Sequence, residues 1–124
     1  MDDLGTLIAI EDIKKLKARY FRAIDQKDWR LLKSTFADDV VLDYRAAATD
    51  PSGANLVPDA TGDILLGSDL AIETIEASLE GISTVHHGHM PEIEITGDTT
   101  ATALWPMSDI LGFPAGGPVS KMLG

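Results

Sequence analysis

The stretch "AIEDIKKLKARYFRAIDQKDWRLLKSTFADDVVLDY" (residues 9–44) switches period twice, and that switching sets the fold class. Ala9, Ile13, Leu16, Tyr20 and Ile24 fall in one arc of a helical wheel. Glu11, Lys15, Arg19 and Arg22 fall on the other side. The pattern predicts a helix over 7–26 with Thr6 as its N-cap, about 30 Å long at 1.5 Å per residue. Trp29, Leu32 and Phe36 then repeat at helical spacing after Asp28, predicting a second helix over 29–36 capped by that aspartate. From 38 to 44 the period drops to two. Val40, Leu42 and Tyr44 share one face of a half-buried strand.

Working outward, residues 45–62 are rich in Ala, Gly, Pro and Asp and predict a mobile excursion placed to act as a lid. "ILLG" (64–67) predicts a short strand, and Ser68 caps a third helix over 69–80 that stops at Gly81. "TVHHGHMPEIEI" (84–95) predicts the next strand, with Glu92 and Glu94 solvated. Residues 97–99 form its hairpin turn, and "TATALWPMSDIL" (100–111) is the partner strand. Pro106 has no N–H to give the ladder, so a bulge or an edge is expected there. "GFPAGGPVSKMLG" (112–124) predicts a flexible apolar end. Helices first and an antiparallel sheet after them make an α+β layout.

The chain has 124 residues, no cysteine and a net charge of −10. Its length suits one domain spanning 1–124. Disulfides, thiolate zinc sites and cysteine nucleophiles are excluded. Residues 1–36 carry eight Lys/Arg against six Asp/Glu, whereas 37–124 carry two against fourteen. No basic stripe offers itself to a phosphate backbone, so no nucleic-acid partner is expected. An acidic start and the absence of a long apolar run predict a cytoplasmic protein with no membrane association.

The only three histidines are His86, His87 and His89. Strand alternation puts His87 and His89 on one face and His86 on the other, which suits convergence on a metal poorly. No metal site is expected, and alternation does not choose among the three as proton carriers. Asp25 is the more telling residue. It lies near the C-terminal end of the long helix, where the dipole opposes a negative charge, and beside Phe21. Tyr44 ends its strand facing inward and needs a partner for its hydroxyl. Tyr20 reads from the wheel as core packing.

Together these pieces resemble the SnoaL-like branch of the nuclear-transport-factor-2-like superfamily. The likeness runs in order from residue 7 to 111, through the opening stretch, the "GSDLAI" helix start and "TVHH". It implies a cone: a long helix and two shorter ones packed on a strongly curved mixed, mostly antiparallel sheet enclosing an apolar pocket. Within the superfamily the chain locally resembles scytalone dehydratase, hexachlorocyclohexane dehydrochlorinase and bile-acid dehydratases. By that likeness Asp25 in "DQKDW" pairs with His86 in "TVH", and Tyr44 in "LDYR" reaches the substrate. Tyr20, Phe21, Met90, Trp105 and Met107 are the implied substrate-binding residues. A bulge near Gly88–Pro91 is also required, so that His86 and Ile93 both face inward.

The implied activity is a cofactor-free lyase or isomerase of the dehydratase kind acting on a small hydrophobic cyclic molecule. Other members of the superfamily imply alternatives: a non-catalytic binding or accessory module, such as a ring-hydroxylating dioxygenase β subunit, or a polyketide cyclase. An inward Asp25–His86 contact favours the first reading, and a dyad open to water favours the binding module. The sequence departs from the dehydratase pattern in two ways. The later strands offer Trp105, Met107, Ser108 and Asp109 where the pattern has a second histidine and an amide. The family continues into a closing hairpin where this chain stops at "KMLG", so the final two strands are expected to be absent or the sequence truncated. Unpaired edges and the habits of the family predict a homo-oligomer, a dimer or trimer.

Overall fold

The computed structural model describes residues 1–47, 52–54, 64–117 and 120–123. The expected lid over 45–62 therefore falls largely outside the described residues.

Helix α1 spans Asp3–Asp25, beginning four residues earlier than the periodicity predicts. Its cap is Asp2 and not Thr6. The Asp2 carboxylate accepts from the Gly5 N–H at 2.7 Å, while the Thr6 hydroxyl donates to the Asp2 carbonyl at 3.0 Å. A full negative charge at the positive end of the dipole outcompetes a hydroxyl. The C-terminal half carries the packing, with Phe21, Ala23 and Ile24 buried. The helix ends in a Schellman arrangement: Lys27 N–H donates to the Ile24 carbonyl at 3.0 Å and Asp28 N–H to Ala23 at 2.9 Å. Lys27 takes the left-handed position at φ 55° where glycine is usual. Its ammonium donates to the Leu79 carbonyl at 2.8 Å, which ties this turn to the end of the third helix.

That turn sets Asp28 directly at the start of α2 (Trp29–Ser34), where its carboxylate accepts from Leu31 N–H at 3.0 Å. β1 (Val41–Asp43) pairs antiparallel with β2 (Ile64–Leu66). α3 (Ser68–Ser78) is capped by Gly67, which has no side chain to make a cap bond, and not by Ser68. The chain leaves β2 at φ 89°, a value Gly67 adopts without strain, and Ser68 is buried inside the first turn. Ala23, Ile24, Leu32, Ile72 and Ile75 form the buried core between the three helices, with Tyr20, Trp29, Phe36, Leu42 and Leu79 packed around it.

The two long strands predicted for the C-terminal half are each broken in two. β3 (Ser83–Gly88) pairs antiparallel with β6 (Met107–Gly112), and β4 (Glu92–Ile95) pairs antiparallel with β5 (Ala101–Leu104). Between the ladders residues 89–91 face 105–106, one residue more on the histidine side. This is the bulge that the resemblance requires. Pro91 and Pro106 have no N–H, and His89 N–H donates to the Pro106 carbonyl at 2.8 Å across the gap. The extra residue shifts the alternation, so His86 and Ile93 are both half-buried despite their odd separation.

The apolar end does not trail freely. The chain turns through Gly116 at φ 88°, and β7 (Lys121–Leu123) pairs antiparallel with β6. Phe113 N–H donates to the Ser120 carbonyl at the base of the turn. Among the described residues every strand pairing is antiparallel. No helix among them is long and apolar enough to cross a membrane.

Candidate active site

α1 delivers Asp25 at its last turn, and β3 runs against that end of the helix. Thr84, His86 and Gly88 share the face of β3 that meets it, two residues apart. The Asp25 carboxylate accepts from the Thr84 hydroxyl at 2.9 Å and from the His86 backbone N–H at 3.0 Å. Its Oδ1 lies 2.6 Å from His86 Nδ1. The His86 side chain is 12% exposed and that of Asp25 25% exposed.

The imidazole is held on its flank as well as its edge. The Phe21 ring stacks on it with centroids 5.9 Å apart and planes 15° from parallel. Gly88 makes room for that ring, because a Cβ there would come within 2.6 Å of Phe21 Cε2. Across the ladder His86 is paired with Asp109, whose Oδ2 lies 3.8 Å from His86 Nε2. That is too far for a hydrogen bond.

Beyond the dyad lies a cavity of about 520 Å³ whose lining includes Lys17, Tyr20, Ile24, Tyr44, Ile75, His86, Met107 and Asp109. An apolar recess of about 250 Å³ adjoins it through the shared residues Lys17 and Tyr20, and Trp105, Phe36 and Leu42 line the rest. Of the residues singled out in the sequence, the structure brings Asp25, His86, Tyr44, Tyr20 and Met107 to one cavity. Trp105 lines the adjoining recess. Phe21 backs the imidazole and is not part of the lining. Met90 is placed elsewhere: it is 88% exposed on the bulge, and the expectation that it binds substrate is corrected. Met90 lies in the looped-out run between β3 and β4, outside both ladders.

His87 is exposed, and His89 Nε2 meets the Ser108 hydroxyl at 3.2 Å. Besides Phe21, three further residues belong to this site: Thr84, Lys17 and Asp109. Thr84 has the parity of His86, and Lys17 and Phe21 precede Asp25 by eight and four residues on one helix face. Both signals are present in the sequence. Asp109 depends on the register of β6 and has no local signal.

The two tyrosines offer hydroxyl donors to the cavity. Burial, and secondarily the neighbouring Tyr44, push the Tyr20 phenol up to about 12. Burial also raises that of Tyr44. Both hydroxyls therefore keep their protons at neutral pH. Folded Tyr20 holds a proton above pH ~10, where an unfolded phenol loses it. The stability this contributes is complete below pH ~10 and is lost as pH rises through about 12. The urea midpoint is expected to fall across that window, and less steeply in Tyr20→Phe. An unchanged slope in that variant would assign the loss to other groups.

The SnoaL-like domain family matches the chain over residues 5–124. Two solved structures share the fold at low identity. One, from Catenulispora acidiphila, superimposes with a TM-score of 0.67 at 14% identity, covering 98% of this chain and 76% of its own. The other, a candidate dehydratase of the NTF2-like family from Streptomyces avermitilis, gives a TM-score of 0.60 at 17% identity, covering 92% of this chain and 79% of its own.

Proposed function

The chain belongs to the SnoaL-like domain family, and from that premise we propose that it is a cofactor-free lyase or isomerase acting on a small hydrophobic cyclic molecule. The observation that supports this most directly is the Asp25–His86 contact of 2.6 Å beside a cavity of about 520 Å³. A carboxylate on Nδ1 keeps the ring hydrogen there and leaves Nε2 bare. Nε2 then removes a proton from carbon next to a carbonyl, and the C–H electron pair moves into an enolate. A hydroxyl of Tyr20 or Tyr44 donates to the oxygen that gains charge. When the C–O bond to the leaving hydroxyl breaks, Nε2 returns its proton and water departs. Asp25 balances the positive charge on the ring in between. The S. avermitilis neighbour supports dehydration as the outcome.

The test is a panel of cyclic β-hydroxy ketones followed by the ultraviolet absorbance of the enone. Turnover that vanishes with His86 supports the proposal. Ligand binding without turnover favours the other reading, a binding or accessory module. Tyr44, 37% exposed at the cavity, is the feature that favours it.

The active form is proposed to be a homo-oligomer. Cross-strand pairing aligns Val85, Ile110 and Leu123 in one row on the sheet face opposite Thr84 and His86, and Val85 and Leu123 are 45% and 71% exposed. Such a row is normally covered. Light scattering at micromolar concentration should give a dimer or trimer, and a monomer there would sink the proposal. Val85→Lys should shift the species toward the monomer.

A further inference from the structure

Lys17 is the one cation that lines both the cavity and its recess. Its Nζ lies 4.3 Å from the centroid of the Tyr20 ring, 5.0 Å from Phe21 and 5.8 Å from Trp105. The chain holds twenty carboxylates against ten Lys/Arg. Among the described residues none of those carboxylates reaches this amine. Lys14 has Glu11, Lys33 has Asp69 and Lys27 has the Leu79 carbonyl. Lys17 has only aromatic faces. These hold an ammonium in place but accept no hydrogen bond of ordinary strength from it.

We infer that Lys17 is the anion-binding residue of this cavity, so that its substrate carries an anionic oxygen group, such as a carboxylate, beside the ring presented to His86. The inference rests on the cavity being the substrate site, as proposed above. Desolvation already burdens this half-buried ammonium, and it lowers the pKa. An incoming carboxylate supplies the missing acceptors in a place where water is partly excluded, and a charge-assisted bond there is stronger than a neutral one. Asp109 and His86, the latter backed by Asp25, line the same cavity and disfavour an anion beside them. The opposed charges thus orient a substrate: anion toward Lys17 and the aromatic rings, reacting carbon toward Nε2. Trp105 and Phe36 in the recess leave room for an apolar substituent beyond the anion.

The test is binding of 2-naphthoate against its neutral isostere 2-naphthamide, measured by calorimetry on the full chain. Wild type should prefer the carboxylate by about tenfold, a free-energy ratio within reach of one desolvated ion pair. Lys17→Met should bring the two ligands within about twofold, and Lys17→Arg should keep the preference. His86→Ala should keep it too, which separates this result from the dyad: loss of turnover with the preference intact condemns only the catalytic reading. Equal binding by wild type, no naphthoate binding, or a preference that survives Lys17→Met would each overturn the assignment. The indole N–H of Trp105 should shift on naphthoate binding, and a perturbation confined to the outer cleft around Glu73 and Glu76 would also overturn it.

Discussion

Replacing His86 with alanine is expected to lower kcat/KM for the elimination by about three orders of magnitude, near 4 kcal/mol of barrier. His86 Nε2 is the unbonded basic nitrogen at the cavity, with Nδ1 committed to Asp25 at 2.6 Å. His87→Ala should leave the rate within about twofold, since that exposed ring points away from the helix. His89→Ala removes an exposed contact with Ser108 and should be equally mild. Because His86 also stacks on Phe21, the variant loses packing. Urea denaturation of the same sample separates a lost base from a loosened fold. If His87 or His89 proved to be the sensitive residue, the parity imposed by the bulge would not describe the working protein.

Much of this architecture is legible in the residues because local chemistry agrees with the fold. The apolar arc of α1, the Asp28 cap, the β1 alternation and the hairpin turn at 97–99 each depend on neighbours within one or two turns of chain. The ends of elements are less legible, since several residues compete to close them. Asp2 and Thr6 are both capable N-caps, and Ser68 looks like one until Gly67 is seen to be the residue that makes the turn. β7 is invisible for another reason: it follows a Gly- and Pro-rich run with no alternation of its own, and only its partner β6 defines it.

The candidate site divides the same way. Its place at the end of the long helix makes Asp25 conspicuous, and Pro106 marks a break in its own strand, whereas the bulge at 88–91 follows from the family likeness. Alternation alone cannot choose a histidine, because parity is measured from a partner the sequence does not show. Family likeness selects His86, and the contact with Asp25 gives that selection a physical form. Asp109 needs the β3–β6 register, and Met90 misleads because an apolar side chain on a looped-out residue has no core to enter.

Asp25→Asn should be nearly as damaging to turnover as loss of the histidine, by about 10²–10⁴-fold. The carboxylate now accepts three hydrogens, from the Thr84 hydroxyl, the His86 backbone and the His86 ring. An asparagine offers only one accepting oxygen. If that oxygen takes the Oδ2 place and keeps the backbone N–H, its amide N–H₂ takes the Oδ1 place and faces the Thr84 hydroxyl and Nδ1, which must then both accept. The ring hydrogen moves to Nε2, and the nitrogen facing the substrate can no longer take a proton. Ring ¹⁵N shifts should show this directly: hydrogen on Nδ1 in wild type, on Nε2 in the variant. Buried donors left poorly matched should also cost roughly 1–3 kcal/mol of stability, read from urea unfolding. Asp28→Asn is the control, since asparagine caps a helix as well as aspartate does. It should leave the tautomer, the rate and the stability close to wild type. An unchanged His86 tautomer in Asp25→Asn, with activity retained, would mean that the carboxylate only anchors β3 to α1 and that the imidazole works without it.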